Sequence, residues 1–547
     1  MTGKADEWIK IVLAILALVV VVATWVVRRF LVRRKPRSVE TIARVQRAST
    51  LLLWCLAAFG VGNYFGFDVE NLTGIDRIDG YDTVHYYLNA KYFDELGYTH
   101  LYEAIVIADL ERKDNFRRWG FQAIRDLDDN SRVPMASVRA RADEIKARFT
   151  KARWREFKHD FRFLQRTISR RLQIELVNDH GYNATPFLQT VAGTVTRHLP
   201  VERLKLVCHV ETLLLLLMLV VVYRTYGSRV AALVVLWYSV DFSARWPGVS
   251  FGLFRLDWFV ALVVACCLMS GADGEPREGR SARWHRARPV LAGVLIAYSA
   301  MQRIFPVVWL FGMGARAIWF LIARRRVEPV FARMLAGFVA AAAIFGGLAY
   351  WNVGERNVRE FVEDMEEHLR PENLSQQRMG FAVALAYRGE YGGFRQPGDR
   401  ERKWELVGSL RRYRFAGAIL ALFLLGLTIR PKDDPEAGAR TDTDDATLLG
   451  FVPFYFLMIA SHYYWIARTT MLLHHGKHED GGGEHIVGLC VLFAIEVLSN
   501  YIDEATHFRY ALSATASVAL GLYCAFVVGV RLWRTYRRSA AAGGADG

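Results

Sequence analysis

The chain has 547 residues and a formal net charge of +15, and 53% of its residues are hydrophobic while 23% are charged. Its apolar residues are concentrated in long runs, which excludes a soluble globular protein. Six cysteines, all in apolar segments and without paired spacing, predict neither a disulfide framework nor a zinc-finger type of site. Basic residues are spread over connecting loops, so we expect no nucleic-acid partner.

The apolar runs predict membrane-spanning helices. About 18 apolar residues suffice for a helix to cross the hydrocarbon core, where every backbone polar group must be hydrogen-bonded internally. We therefore predict an all-α polytopic membrane protein with about 10 to 13 membrane helices. The first run ends in the basic stretch RRFLVRRKPR without a cleavage site, which predicts a retained helix and not a signal peptide. The clearest runs are residues 10–27, 204–223, 252–269, 331–350 and 510–530.

Lysine and arginine in short loops predict which segments face the cytoplasm. Basic short segments occur at residues 28–37, 223–229, 271–289, 323–329 and 430–434. The long segments 67–203 and 352–412 would then lie outside. Residues 447–475 fit either one long tilted helix or a broken pair, so the side of residues 474–485 and of the basic C-terminal tail stays open. The predicted organisation is an N-terminal helix and linker (1–48), a membrane core (49–351), a second outer segment (352–412) and C-terminal helices (413–547).

Residues 137–175, within the first outer segment, have helical periodicity and many basic residues. This pattern predicts a basic amphipathic helix in the headgroup layer, with anionic lipid headgroups as partners. A solvated helical hairpin is the alternative. The recurring apolar residues are Phe149, Trp154, Phe157, Phe161, Leu164, Ile168 and Leu172.

Charged residues interrupt two apolar stretches. Arg303 follows Gln302 and precedes Pro306, and a proline breaks the helical hydrogen-bond ladder. We predict two short segments that meet at this break. Arg255 and Asp257 lie inside another apolar run and are expected to pair with each other or with other helices. An intramembrane charge usually marks a functional surface or a paired interior.

The stretch IDGYDTVHYYLNAKYFDELGYTHLY, residues 78–102, follows a hydrophobic run. Its Asp79 and Asp82 flank a glycine at the expected membrane boundary, where a carboxylate can act as a general base or bind a cation. Asp82 is also a suitable helix N-cap. The tyrosines fit an interfacial aromatic belt or a surface that stacks on sugars.

Three other polar stretches contain candidate residues. Tyr182 and Asn183 lie in NDHGYNATPF, and His462 lies in SHYYW. The stretch HHGKHEDGGGEH, residues 474–485, contains histidines and acids that could bind zinc or manganese. Its spacing matches no standard metal motif, so we interpret it as a glycine-rich polar loop.

Several motifs occur in an order that resembles a known enzyme family. They are DGYDTVHYYLNAKYFDELGYTHLY, YNATPF, HLP, RPVLAGVLIAYSAMQRIFPVVWL and GEHIVGLCVLFAIE. Together they resemble the integral-membrane C-type glycosyltransferases, most closely glycosyltransferase family 87. The chain departs from that pattern where YNATPF replaces paired prolines, where Gln302-Arg303 replaces a common lysine, and in the extra basic segment at 137–175.

The resemblance implies a C-type glycosyltransferase fold and sugar transfer on the outer face of a bacterial inner membrane. The donor would be a polyprenyl-phosphate sugar, and the acceptor a glycolipid, a glycan or another periplasmic hydroxyl compound. No cofactor is expected, although a divalent metal stays open. A transporter or flippase, or another membrane transferase, is the alternative. The implied residues are Asp82 as general base with Asp79 as second candidate; Arg303, Arg245 and His485 at the donor phosphate; and Tyr81, His85, Tyr86, Tyr182, Asn183, His462 and Glu484 at the sugar or acceptor.

Overall fold

The computed structural model describes residues 6–34, 39–69, 80–243, 254–274, 281–368, 370, 375–389, 398–430 and 441–543. Seven helices within these residues are long and apolar enough to cross a membrane. This confirms an all-α polytopic membrane protein. Seven long helices are fewer than the 10 to 13 membrane helices predicted, because several other apolar segments fold as short or broken helices. The seven are Glu7–Val32, Val39–Tyr64, Val201–Tyr226, Phe305–Arg324, Pro329–Glu366, Gly483–Thr506 and Arg509–Arg537.

The helical bundle also contains these shorter elements. Two of them, Ser228–Val240 and Asp257–Leu268, are mainly apolar. The others are the α-helices Ala282–Arg303, Arg411–Thr428, Thr443–Leu448, Phe451–Leu457 and Thr469–Lys477, and the 3-10 helix His462–Arg468. Two of the long helices begin with a 3-10 segment: Val201–Arg203 precedes Leu204–Tyr226, and Phe305–Leu310 precedes Phe311–Arg324.

Residues 80–203 form a mainly helical unit that we call the cap. Its core is made by aromatic and aliphatic side chains from several short helices. Its elements are Gly80–Thr83, the π-helical turn Val84–Asn89, Phe93–Leu96, Leu101–Leu110, Asn115–Arg118, the strand pair Ala123–Arg125 and Arg132–Pro134, Met135–Ala140, Ala142–Ala147, Lys151–Gln165, Arg170–Leu176 and Pro186–Thr196.

The antiparallel helices give the bundle two ends. At one end, which carries the cap, the Asp6 amide donates to Asn63 Oδ1 (3.0 Å); we call it the Asp82 end. At the other, Arg229 forms a two-point ion pair with Glu479 (2.6 and 2.7 Å); we call it the His474 end. The described part of residues 352–412, the predicted second outer segment, lies at the Asp82 end and contains the short elements Arg378–Met379, Phe381–Ala386 and Asp399–Ser409.

Residues 447–475 form a broken pair, so the one-helix alternative is wrong. Phe451–Leu457 reaches the Asp82 end, where the strand Ala460–Ser461 pairs antiparallel with Arg378–Met379. The chain then returns through His462–Arg468 and Thr469–Lys477. The stretch 474–485 therefore lies at the same end as the base of the C-terminal helix, where Arg531 donates to Thr441 (2.8 Å).

The basic segment at 137–175 is amphipathic, but its apolar side is not free to enter lipid. Instead of one helix it forms four short ones. The side chains of Phe149, Trp154, Phe157, Phe161, Leu164 and Ile168 are buried in the cap core, and only Leu172 of the predicted set is exposed. The prediction that the apolar face lies in the headgroup layer is wrong, because the cap itself covers that face. Anionic lipid as a partner of its basic side chains stays a prediction.

A fully buried charge cluster joins three segments of the bundle. Arg468 pairs with Asp241 (2.8 Å) and with Glu496 (2.9 Å), and all three side chains have no exposed surface. The Glu496 carboxylate also accepts from the Phe242 amide (2.8 Å). Removing one member of such a buried ion cluster leaves an uncompensated charge, which typically costs about 3–5 kcal/mol.

Two glycines let the helices Ala282–Arg303 and Pro329–His368 pack closely. A Cβ at Gly293 would lie 1.9 Å from the Met334 carbonyl oxygen, and one at Gly337 would lie 2.2 Å from the Val290 carbonyl oxygen. Small residues at such crossings allow backbones to approach within a membrane. Because the obstructing atoms belong to the backbone, no side-chain rotation can relieve the clash.

We expect Gly293→Ala to destabilise the protein by about 1–3 kcal/mol through overpacking. Gly347→Ala is the matched control, because this helical glycine has open space around its Cβ position. Thermal unfolding of the detergent-solubilised protein would measure both. Equal melting temperatures for the two variants would contradict the close crossing.

Candidate active site

The first turn of the cap presents Asp82 toward the bundle. Gly80 begins this helix, and a Cβ there would lie 2.1 Å from Thr167 Oγ1, so glycine permits a close approach to the rest of the cap. Asp82 lies in the first turn and not at the N-cap. Its side chain is 22% exposed and pairs with Arg255. The guanidinium holds the carboxylate in place while leaving part of it accessible.

Arg255 belongs to a short turn that precedes the helix Asp257–Leu268. Phe254 has a positive φ of 55°, uncommon for a residue with a side chain. Glu211, from the helix Leu204–Tyr226, accepts from the backbone amides of Arg255 and Leu256, the latter at 2.9 Å. Carboxylate hydrogen bonds to two successive amides hold the turn in this conformation.

Arg303 lies on the other side of this turn. Its Nη2 donates to the Phe254 carbonyl at 2.7 Å, and its guanidinium lies over the rings of Tyr86 (5.6 Å) and Tyr464 (6.0 Å). The Arg303 Nε is buried and has no hydrogen-bond partner in the described part of the chain. An unpaired buried donor on an arginine is costly, so it indicates a site for an additional acceptor.

The predicted helix break at Arg303 is confirmed. The helix Ala282–Arg303 ends there, and Ile304 adopts φ 61° and ψ −59° before the 3-10 helix Phe305–Leu310 begins. Such angles are strained for a β-branched residue and persist only where the surroundings impose them. The break aims the Arg303 side chain at the cap instead of along the helix.

A chain of hydrogen bonds extends the site into the bundle. Gln302 donates to the Tyr298 hydroxyl (3.0 Å), which donates to Asp257 (2.6 Å). The second oxygen of Asp257 and the amide oxygen of Gln302 are buried without a partner in the described residues. Asp257 thus pairs with another helix, one of the two alternatives left open above.

Tyr86 faces Arg303 from the π-helical turn of the cap. Burial raises the pKa of Tyr86 to about 12, although the Arg303 charge opposes this shift. The hydroxyl therefore stays protonated at neutral pH and can donate a hydrogen bond. A π-helical turn often marks a functional position, because it displaces side chains from regular helical spacing.

Three other predicted contact residues support the cap instead of facing the site. The His85 ring is buried: its Nδ1 donates to the Tyr81 carbonyl (3.1 Å) and its Nε2 accepts from the Tyr102 hydroxyl (2.9 Å). The Tyr81 hydroxyl donates to Asp179 (2.9 Å). The Tyr182 hydroxyl donates to Gln189 (2.7 Å). These groups are occupied by protein partners.

Asn183 and His462 also have positions close to the Asp82 end. When the side-chain amide of Asn183 is oriented so that its nitrogen faces the neighbouring acceptors, it donates to Asp364 (3.0 Å) and to the His180 carbonyl (3.1 Å). His462 is buried beside Tyr463. Asp79 and Arg245 fall outside the described residues.

The structure does not bring His485 and Glu484 together with Arg303. Glu484 pairs with Arg534, and His485 packs against His474, at the His474 end. The helix Leu204–Tyr226 connects the two ends, and its segment from Glu211 to Tyr226 spans about 22 Å. A shared donor-phosphate site for His485 and Arg303 is therefore excluded by position.

Glu211 and Tyr464 complete the site but were not among the predicted residues. Glu211 interrupts the apolar run at 204–223, and an intramembrane carboxylate is by itself a signal of function. Tyr464 lies in the SHYYW stretch, where no pattern separates it from its neighbours. Arg255 was singled out as a charge in an apolar run, but its partner Asp82 is distant in sequence.

Histidines and acids converge a second time at the His474 end. Three overlapping groups there could hold a metal ion: Asp445, His474 and His478; His474, His475 and His485; and Asp442, Asp444 and Asp445. This second cluster is separate from the Asp82 site.

Comparison with known proteins gives no relative. No family model, no curated protein and no solved structure matches the chain.

Proposed function

We propose that the protein is a membrane glycosyltransferase that transfers a sugar from a polyprenyl-phosphate donor to the hydroxyl group of a lipid-linked or periplasmic acceptor. One observation carries this proposal. A partly exposed carboxylate, Asp82, pairs with Arg255 on the turn whose Phe254 carbonyl accepts from Arg303, and the Arg303 Nε has no partner in the described residues. The candidate base Asp82 and the Arg303 guanidinium, whose Nε can still donate a hydrogen bond, thus contact the same turn where the cap joins the bundle.

The reaction would be a single inverting displacement. The acceptor oxygen attacks the anomeric carbon while its proton passes to Asp82. The bond between the anomeric carbon and the phosphate oxygen breaks, and its electron pair leaves with the polyprenyl phosphate. The acceptor hydroxyl becomes acidic as the new bond forms, which allows a carboxylate to take its proton.

Arg303 would stabilise the leaving phosphate. A guanidinium binds phosphate oxygens through two parallel hydrogen bonds, and such charge-assisted bonds are about twice as strong as neutral ones. Tyr86 would supply a further donor. Burial of these groups strengthens their interaction with the negative charge that develops on the leaving group.

The location of the site suits a lipid-linked donor. The exposed aliphatic surface of the helix Leu204–Tyr226, including Leu206 and Leu213, is available to lipid next to Glu211 and the turn. A polyprenyl chain could remain in the bilayer while its sugar reaches Asp82 beneath the cap. The polyprenyl chain would not have to leave the lipid, and the sugar would not have to enter it.

We place the Asp82 end outside the cytoplasm of a bacterial cell. The basic short connections at residues 223–229 and 323–329 lie at the opposite end, and short basic loops are retained on the cytoplasmic side. The basic C-terminal helix ends there too. One orientation thus satisfies the charge pattern of both halves of the chain.

A transporter or flippase is the second candidate. The buried cluster of Arg468, Asp241 and Glu496 favours it, because intramembrane ionisable groups commonly mark ion pathways. Movement of polyprenyl-phosphate sugar across proteoliposomes without a glycosylated product would select this function over transfer.

We expect Asp82→Asn to reduce glycosyl transfer by about 10²–10⁴-fold, because the amide cannot take the acceptor proton. The purified protein in nanodiscs would be supplied with a panel of polyprenyl-phosphate hexoses and pentoses and with total membrane glycolipid, and released polyprenyl phosphate measured by mass spectrometry. Asp143→Asn is the control, because this carboxylate is 99% exposed in the cap. Normal turnover by Asp82→Asn would reject the assigned base.

We expect Arg303→Lys to lower kcat/KM for the donor by about 10-fold or more, since an ammonium cannot make the paired hydrogen bonds of a guanidinium. Arg356→Gln, at a largely exposed site, should leave the donor kinetics unchanged. Melting temperatures of both variants would separate a binding defect from misfolding. An unchanged kcat/KM in a folded Arg303→Lys protein would contradict the phosphate role.

We expect a cysteine at position 151 to react with a membrane-impermeant maleimide in intact cells, and one at position 326 to react only after lysis. Lys151 and Arg326 are exposed at opposite ends of the bundle. Both variants would carry Cys55→Ser, which removes an exposed native thiol. The reverse labelling pattern would overturn the proposed orientation.

A further inference from the structure

The His474 end contains an arrangement of ligand atoms that the proposed sugar transfer does not use. The Nδ1 of His474 lies 2.7 Å from one Asp445 oxygen, and the Nε2 of His478 lies 2.7 Å from the other. One nitrogen from each histidine and one carboxylate oxygen fit within 4.8 Å of one another. We propose that Asp445, His474 and His478 bind a transition-metal ion of the zinc class.

The donor set matches this class of ion. Two imidazole nitrogens and one carboxylate oxygen are common ligands of zinc, which binds nitrogen at about 2.0–2.1 Å in tetrahedral geometry. Tetrahedral ligands at that distance are about 3.3 Å apart. The three donor atoms already converge, so small side-chain rotations would place an ion among them. Imidazole ligands also disfavour magnesium and calcium, which prefer oxygen.

The three ligands come from two parts of the chain. Asp445 is on the helix Thr443–Leu448, His474 is on Thr469–Lys477, and His478 is the residue after that helix. Histidines four residues apart lie on one helical face, which is why His474 and His478 point toward the same carboxylate. A bound ion would fasten these two helices together.

The three proposed ligands differ in the solvent exposure of their side chains. Asp445 and His474 are buried, whereas the His478 side chain is 32% exposed. The buried pair fixes two ligand positions, and His478 provides a route from solvent. His485 packs against both histidines, with ring centroids 4.9 Å from His478 and 5.4 Å from His474.

The surrounding charges can accommodate a cation. Lys477 lies 2.9 Å from Asp445, but it also pairs with Asp444 at 2.8 Å and keeps that partner when an ion binds. Arg531 donates to Thr441 (2.8 Å). Asp442 adds another carboxylate to the cluster with Asp444 and Asp445.

Without an ion, the same groups form an ordinary hydrogen-bond network. Each histidine then donates an N–H to Asp445, which leaves the carboxylate shared among two imidazoles and Lys477. Metal binding replaces each of these hydrogen bonds with a bond to the ion, and the proton of each neutral imidazole moves to its other ring nitrogen. The two states differ in metal content, which can be measured directly and does not depend on any enzymatic activity.

The test uses the full-length protein purified through an affinity tag without histidines. We expect plasma mass spectrometry to find one zinc ion per chain. After chelation, added Co²⁺ should give the visible absorption of a tetrahedral site, and its removal should lower the melting temperature, because an ion that binds only the folded state stabilises it. A chain with neither zinc nor Co²⁺ absorption would show a hydrogen-bond network only and would overturn the proposal.

Matched variants locate the ion. His478→Ala should weaken Co²⁺ binding by at least about 10-fold. Loss of a residue that only hydrogen-bonds to a metal ligand typically lowers metal affinity by about 10- to 100-fold, so loss of a ligand should lower it by at least as much. His159→Ala is the control, because its imidazole is 57% exposed in the cap at the opposite end. Equal Co²⁺ affinity for the two variants would reject the site. Loss of binding in His475→Ala but not in His478→Ala would move the ion to the neighbouring histidine group and overturn this ligand assignment.

Discussion

The position of the Asp82 site depends on the turn at Phe254–Leu256, which charged groups hold from three directions. Glu211 binds the backbone amides of the turn, Arg303 binds its first carbonyl, and Asp82 pairs with the Arg255 side chain. Each of these groups would be expensive to bury alone at a membrane boundary. Their mutual pairing offsets that cost and fixes the cap relative to the bundle.

The cap has a hydrophobic core of its own. Its aromatic side chains pack around a buried ion pair in which Lys91 contacts Asp160 at 2.7 Å, and the Tyr87 and Tyr92 hydroxyls point to the same carboxylate. A further contact to the bundle comes from Thr185, whose hydroxyl donates to the Met301 carbonyl (2.6 Å). Hydrophobic packing joins the two parts as well, because Val353 and Phe361 of the helix Pro329–His368 share a cluster with Tyr98 and Leu188 of the cap. The Asp82 site therefore lies where the cap packs against the bundle.

Some features of the fold follow directly from local sequence. The break after Arg303 is predictable because Pro306 cannot complete the helical ladder. The apolar runs predict membrane helices because a helix satisfies all of its backbone hydrogen bonds internally, as the hydrocarbon core requires.

Other features depend on contacts between distant residues. Periodicity marks Phe157 and Phe161 as one apolar face but cannot tell a protein core from lipid, and the cap core covers that face. His85 was a candidate for function, but its partner Tyr102 makes it structural. Asp445 precedes the histidine stretch by about 30 residues, so no local spacing could associate them. The pairing of Asp82 with Arg255 was not predictable either, because these residues are also far apart in sequence.

The buried cluster of Asp241, Arg468 and Glu496 constrains the order in which the chain can mature during synthesis. More than 200 residues separate Asp241 from its cationic partner. Until the C-terminal third has been synthesised, Asp241 has only the local donors of Ser243, its amide and its hydroxyl, both at 2.6 Å. The buried ion cluster, and with it the packing around the end of the helix Ser228–Val240, is therefore completed only when the last helices are in place.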